Sequence, residues 1–214
     1  MSAIPAIDVQ VVTWHSDPTQ LRRLLDNLVA EGGGTALHVA LADNSVDPGV
    51  AAAVSDLAGS YAAHFASLRV VANPANLGFG RAHNALAQQA RTPWLLLLNP
   101  DSALLPGALR SLLSHAAGDA AAAAFECRQQ PYEHPKNYHP VTLETEWCSG
   151  AALLLRRRAF DEVGGFDEKL FLYGEDVDLC WRLRAAGWKL RYLPSARVVH
   201  DSYRHAGEVK PAQV

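Results

Sequence analysis

Four times in the first half of the chain a short apolar run gives way to an amphipathic or alanine-rich stretch, and each apolar run ends in polar residues. The runs are "IDVQVVTW" from Ile7, "ALHVALADN" from Ala36, "LRVVANP" from Leu68 and "WLLLLNPDS" from Trp94. Between them come "PTQLRRLLDNLVAEGGG", a helix stopped by its glycines, the alanine-rich segment from Gly49 to Phe65, and a helix from about Arg81 to Ala90. A further helix opened by Pro106 follows the last run. This strand-helix alternation implies a mostly parallel sheet with helices on both faces. Open sheets of this kind bind ligands beyond the carboxyl ends of their strands, so "TWHSD", "ADNS", "NPANLGFG" and "NPDS" mark the expected site.

The second half is less regular. Residues 118–145, an alanine run followed by "ECRQQPYEHPKNYHPVTLETE", show no clear period and read as a loop or flap. Regular structure resumes with "WCSGAALLLRR" as a strand, a helix from Gly174 to Ala186 ended by Gly187, and "WKLRYLP" as the last strand. In that helix Val177, Cys180, Trp181 and Arg184 share one side and Leu179, Leu183 and Ala186 another, which predicts a largely buried helix. His200 is expected several residues past the last strand, and "HDSYRHAGEVKPAQV" reads as a loose tail.

With 214 residues, 49% of them hydrophobic and 19% charged, the chain can bury one substantial core. A net charge of -3 gives no overall attraction for nucleic acid or anionic membrane surfaces, so an anionic ligand has to be held locally. Cys127, Cys148 and Cys180 form no CxxC pair, which argues against a disulfide framework or structural zinc and for a reducing compartment. The start lacks a signal-peptide pattern and the internal apolar runs are too short to cross a bilayer, so the chain reads as soluble, and as cytoplasmic if bacterial.

No GxGxxG follows the first strand and no GxxxxGK[ST] loop is present, which excludes the common dinucleotide and P-loop sites. Gly78 and Gly80 in "NLGFGRAHN" bring either a plain turn or backbone N–H groups and Arg81 near a phosphate. Asp101, ending a strand buried on both faces, is either a turn-forming residue or a ligand for a hard divalent cation. His200 is either a surface residue or a second ligand. Glu175, Asp176 and Asp178 sit in the first turn of a helix, where the dipole favours negative charge; a carboxylate fixed there is also what a general base for a hydroxyl requires.

Taken in order, "VVTWHS", "LADNS", "NPANLGFGRAHN", "LLLLNPDS", "CSGAALLLRRRAFDEVGGFDEKLFLYGEDVDLCWRLRAAGW" and "VVH" resemble the family 2 glycosyltransferases with a GT-A fold, over most of Val11 to His200. The similarity is strongest to the rhamnosyltransferase-like branch, where "NLGFG", an "NPD" in place of the usual DxD, and an "EDVDL" helix occur together. The resemblance implies one GT-A catalytic domain over 1–214, with a nucleotide-binding half at 1–117, an acceptor and catalytic half at 118–200 and a tail at 201–214. By position it implies that Thr13, Trp14, Asp43, Asn44, Asn76, Gly78 and Arg81 bind the nucleotide, with Trp14 stacking on the base. Ser149, Gly150 and Glu175 would face the donor sugar, Asp176 would be the catalytic base, and Asp101 and His200 would hold Mg²⁺ or Mn²⁺. Asn99 stands where the family's first metal-binding acid would be, leaving one fewer charge at the metal.

The activity so implied is inverting transfer of a sugar from dTDP-rhamnose or a UDP-sugar to a hydroxyl of a cell-surface glycan or lipid-linked acceptor. It carries an expectation of peripheral association with the inner face of the membrane and leaves the oligomeric state open. Relatives of this branch often continue past the final histidine, so the chain reads either as a minimal catalytic domain or as a piece of something longer. A sugar-nucleotide pyrophosphorylase would want a glycine-rich basic loop where "TWHSDP" stands. A binding module without turnover is the other alternative, and the presence of both Asp101 and Asp176 speaks against it.

Overall fold

Leucines spaced to one face and capped at both ends make the first helix a clear example of how this chain forms its elements. Asp17 accepts a hydrogen bond from the Thr19 N–H at 2.8 Å, Pro18 occupies the first turn, and Gly33 closes the helix at φ 48°. Leu21, Leu24, Leu25 and Leu28 are buried at the helical period. A computed structural model describes residues 6–201.

Among the described residues eight strands form one sheet: β1 Ile7–Thr13, β2 Leu37–Asp43, β3 Ser67–Ala72, β4 Trp94–Leu98, β5 Ser102–Leu104, β6 Ala122–Gln130, β7 Ala152–Arg156 and β8 Lys189–His200. Their order is β3-β2-β1-β4-β7-β6-β8-β5. β3, β2, β1 and β4 run parallel, β7 is antiparallel to β4 and β6, and β6 pairs in parallel with β8. The expected α/β architecture is present, with a mixed sheet in which parallel pairs predominate.

The helices are α1 Pro18–Gly32, α2 Pro48–Gly59, α3 Gly78–Ala87, α4 Ala108–Gly118, α5 Arg157–Glu162 and α6 Glu175–Ala185. Side-chain alternation along the strands builds a core on each face. In β4, Leu96 and Leu98 pack with residues of α1, α2 and α4, whereas Leu95 and Leu97 pack with α5 and α6. Ala40 and Ala42 of β2 meet Ala82 and Leu86 of α3 on the second face.

Four expectations are corrected. Residues 118–145 are not one loop: Ala122–Gln130 is a central strand. Alanine is a poor strand former, but Ala122, Ala123 and Ala124 are fully buried, and the last two share a cluster with Phe160, Phe166 and Leu179. α3 starts at Gly78 rather than near Arg81, so both glycines of "GFG" lie in its first turn. β8 does not stop at Pro194. Its pairing with β6 steps from Cys127↔Leu193 to Arg128↔Arg197, so the proline falls in a bulge and the strand continues to His200. Finally, Trp181 is 63% exposed, because α6 buries a single stripe through Leu179, Cys180 and Leu183. The expected tail beyond Asp201 lies outside the described residues.

Candidate active site

The carboxyl ends of β1, β2 and β4 point the same way because those strands are parallel. β7 runs against β4, with Leu98 opposite Ala152 and the Asn99 N–H on the Ala151 carbonyl at 2.9 Å, so the start of β7 lies at that same edge. Residues separated by most of the chain therefore meet along one rim.

At the β1 and β2 end, Asp43 is a buried hub. Its Oδ1 accepts from Thr13 Oγ1 at 3.0 Å and from Ser45 Oγ at 2.7 Å. Asn44 donates to the Gly78 carbonyl at 3.1 Å and accepts from Asn73 Nδ2 at 2.8 Å. This network is a rigid floor, and Trp14 stands out from it at 61% exposure, next to His15 in the left-handed region at φ 46°. A core-packing role for Trp14 is thereby excluded. Asn76 accepts from the Gly78 N–H at 3.0 Å, shaping the turn into α3. Arg81 lies 3.5 Å from Glu168, both side chains about half-exposed.

The β4 end carries Asn99 and Asp101. Antiparallel pairing of β5 with β8 sets Ser102 opposite His200 and brings the His200 Nε2 to 3.4 Å from Asp101 Oδ1. Asn99 Nδ2 is 3.1 Å from the same nitrogen, and His200 Nδ1 is 2.8 Å from Gln129 Oε1. Arg23 of α1 stitches the two segments together, donating to the Asp101 carbonyl at 3.1 Å and pairing with Asp201 at 2.7 Å. Among the described residues no group of three or more His, Cys, Asp or Glu side chains is assembled to hold a metal. One carboxylate and one imidazole do fit Mg²⁺ or Mn²⁺ bound together with ligand phosphates, since such ions keep few protein ligands in nucleotide sites.

The three acids of α6 have separate environments. Its N-cap, Gly174, makes no side-chain capping bond. Asp178 is taken by Arg182 at 2.6 Å, and the same guanidinium donates to the Val163 and Gly165 carbonyls at 2.9 and 2.7 Å. Glu175 is 5% exposed and its Oε2 has no hydrogen-bond partner among the described residues. Burial first, and then the charge of Asp176, push its carboxyl up from 4.5 to about 7. Asp176 faces the rim: its Oδ2 accepts from the Gly150 N–H at 3.1 Å and its Oδ1 from the Val177 N–H at 2.8 Å. Gly150 thus abuts Asp176, with Ser149 preceding it in the chain, while Phe171, Leu172 and Tyr173 just ahead of α6 are exposed and form an apolar lip.

The segment after β6 is anchored rather than a free flap. Lys136 is buried with its Nζ 2.7 Å from Glu126, 3.3 Å from the Trp147 carbonyl and 3.2 Å from the centre of the Trp147 ring. Tyr192 donates to Glu133 at 2.6 Å nearby. Gln129, Arg23 and Lys136 carry no sequence signal of their own; Gln129 reaches His200 because strand register sets it beside Val198.

Among the described residues no helix is long and apolar enough to cross a membrane. Residues 5–210 match the family described as "Glycosyltransferase like family 2". The chain is 32% identical over 247 residues to N-acetylglucosaminyl-diphospho-decaprenol L-rhamnosyltransferase of Mycobacterium tuberculosis, covering 94% of this chain and 78% of that one. It is 30% identical to the pre-mycofactocin glycosyltransferase of the same organism, covering 89% of this chain but only 42% of that one. Among solved structures, the mannosyltransferase PcManGT from Pyrobaculum calidifontis in complex with GDP-Man and Mn²⁺ superposes with a TM-score of 0.79 at 18% identity, over 96% of this chain and 59% of that one. S. aureus TarS 1-349 in complex with UDP-GlcNAc gives 0.69 at 17%, over 96% and 62%.

Proposed function

Because the chain belongs to the family 2 glycosyltransferases and has their GT-A fold, we propose that it is an inverting enzyme that moves a sugar, L-rhamnose from dTDP-rhamnose first and a sugar from a UDP-sugar second, to a hydroxyl of a lipid-linked or cell-surface glycan. The observation that carries this reading is the placement of Asp176. Its carboxylate is held by the Gly150 N–H at 3.1 Å, on the rim that also carries Asp101 and His200. The relative named for rhamnosyl transfer to N-acetylglucosaminyl-diphospho-decaprenol supports rhamnose and a lipid-linked acceptor over other pairs.

In this mechanism the exposed Trp14 ring stacks on the nucleotide base, and the Thr13–Asp43–Asn44 network keeps the strand ends rigid beneath it. Asp101 and His200 would hold Mg²⁺ or Mn²⁺, which would supply positive charge to the leaving diphosphate. Neutralisation matters because the protein itself carries a net charge of -3. The acceptor hydroxyl attacks the anomeric carbon from the face opposite the diphosphate while Asp176 takes its proton. The new glycosidic bond forms as the carbon–phosphate oxygen bond breaks, so the anomeric configuration inverts. In this reading the exposed Phe171–Tyr173 lip, just ahead of Asp176 in the chain, would border the acceptor side.

Release of nucleoside diphosphate from a panel of sugar nucleotides, with a polyprenyl-diphosphate-linked N-acetylglucosamine as acceptor, tests the reading. Acceptor-dependent release of dTDP or UDP is the expected result, and binding of sugar nucleotides without any release would leave a binding module instead.

A further inference from the structure

The two glycines of "NLGFG" are required by the protein's own packing. Gly78 has φ +74°, and a methyl group on it would fall 2.1 Å from the carbonyl oxygen of Phe171. A methyl on Gly80 would fall 2.9 Å from Phe166 Cβ. Both contacts are with the segment that leads into α6 and so carries Asp176. Between the glycines, the Phe79 N–H donates to that same Phe171 carbonyl at 3.2 Å. The space a glycine frees at position 78 is filled by protein backbone, so a phosphate cannot use it from that side.

The Phe79 ring completes the arrangement. A methyl on Gly150 would meet it at 3.0 Å and would meet Asp176 Cβ at 3.8 Å, so ring and carboxylate flank the same glycine whose N–H holds Asp176. Phe79 is braced from behind by His83 at 4.3 Å and Phe166 at 5.8 Å between ring centres. His83 in turn bonds Gln10 of β1 at 3.0 Å. Asn84, the residue after His83 on α3, holds the Phe166 backbone from both sides, accepting from its N–H and donating to its carbonyl at 2.9 Å each.

We infer that Gly78–Phe79–Gly80 is a clamp that sets the position of Asp176, with Phe79 as its positioning residue. The clamp also joins donor side to acceptor side, because the Gly78 carbonyl is the group that Asn44 bonds at the β2 tip. This inference rests on the reading of Asp176 as the general base. A loosened clamp therefore costs turnover while leaving the nucleotide floor, which Thr13, Asp43 and Asn44 build without Phe79, in place.

Phe79→Ala, Phe79→Leu and Asn84→Ala test it on the full chain. Binding of dTDP and UDP with Mn²⁺ is measured by calorimetry, and kcat and KM are measured by nucleoside diphosphate release from the best donor of the panel. The expected result for Phe79→Ala is a kcat reduced about 10- to 100-fold, the scale of a displaced catalytic group, with nucleotide affinity within about threefold of the parent. Phe79→Leu restores most of the loss by refilling the space against Gly150. Asn84→Ala, which frees Phe166 without touching Phe79, gives the same split and carries the test if Phe79→Ala does not fold. A kcat near the parent's in folded Phe79→Ala or Asn84→Ala, or nucleotide affinity falling in step with kcat, overturns the clamp. Asp176→Asn separates the two levels: an active Asp176→Asn removes the base itself, whereas an inactive Asp176→Asn beside an active Phe79→Ala removes only the clamp.

Discussion

Replacing Asp176 by asparagine changes one oxygen into an NH₂ group, and the structure shows what that group would meet. The two carboxylate oxygens accept from the Gly150 N–H at 3.1 Å and the Val177 N–H at 2.8 Å. Asparagine can keep one of these bonds and must point its amide hydrogens at the other donor. A buried N–H left without an acceptor costs about 1 to 3 kcal/mol, and losing a negative charge in the first turn of α6 costs about 0.3 to 1 kcal/mol more. The variant is therefore expected to be less stable by about 1 to 4 kcal/mol, with a melting temperature lower by about 2 to 4 °C for each kcal/mol at this chain length. Loss of the general base is a separate and larger effect on rate, about 10²- to 10⁴-fold, or roughly 3 to 5 kcal/mol in barrier height. Nucleoside diphosphate release measured well below the melting temperature reads the second effect. Calorimetry with dTDP or UDP on the same sample establishes that the remaining protein is folded and binds. Asp178→Asn is the comparison, since it breaks the ion pair with Arg182, whose guanidinium also holds the Val163 and Gly165 carbonyls, and should lower stability while sparing kcat. Transfer by Asp176→Asn within about threefold of the parent rate would refute the assignment.

Trp14→Ala should weaken nucleotide binding by about 1 to 3 kcal/mol, the range for base–aromatic stacking, and leave the melting temperature nearly unchanged because the side chain is 61% exposed. Titration of dTDP or UDP checks both halves; loss of stability without loss of affinity would contradict it. Asp101→Ala should abolish the difference in nucleotide affinity between Mn²⁺ and excess chelator, and an unaltered difference would remove Asp101 from the metal. Glu175→Gln should change the pH dependence of stability. The native carboxyl, raised from 4.5 to about 7, keeps a proton that the unfolded chain releases in that window, so parent stability declines as pH rises through it. The glutamine variant lacks this decline: the two proteins should differ little below about pH 4.5, and the variant should gain relative to the parent by up to about 3 kcal/mol above pH 7. Denaturant unfolding at pH 4, 6 and 8 checks it, and parallel curves would show that Glu175 is not protonated in the native state.

The β-α alternation of the first half was legible because each strand and helix there is built from side chains that state their own period. β4 is leucine on both faces, and α1 repeats leucine at helical spacing. β6 was illegible for the opposite reason. Three consecutive alanines have no strand preference, and their extended conformation comes from β7 and β8 on either side. The reach of β8 was hidden by Pro194, which ends a strand by local rules but here sits in a bulge. The rim could be outlined from strand ends alone, since Thr13, Asp43, Asn99 and Asp101 all follow apolar runs. Contacts that cross the chain left no such mark: Gln129 beside His200, Arg23 on the Asp101 carbonyl, and the Phe171 carbonyl that fills the space at Gly78. Each links segments at least 70 residues apart, and neither partner shows a local pattern that points to the other.

The buried pair of Lys136 and Glu126 restricts how this chain can change over generations. Together they sit behind Trp147, 2.7 Å apart and shielded from water, and burial pushes the Glu126 carboxyl up to about 7 even beside the ammonium. Replacing either one alone strands the other charge, at a cost of about 3 to 5 kcal/mol, a large share of what a domain has to lose. Replacing both with apolar residues of similar volume is close to neutral. Descendants can therefore reach an uncharged version of this corner only through a poorly folding intermediate or by two changes at once, so the two positions are expected to be kept or lost as a unit while the exposed residues around them drift.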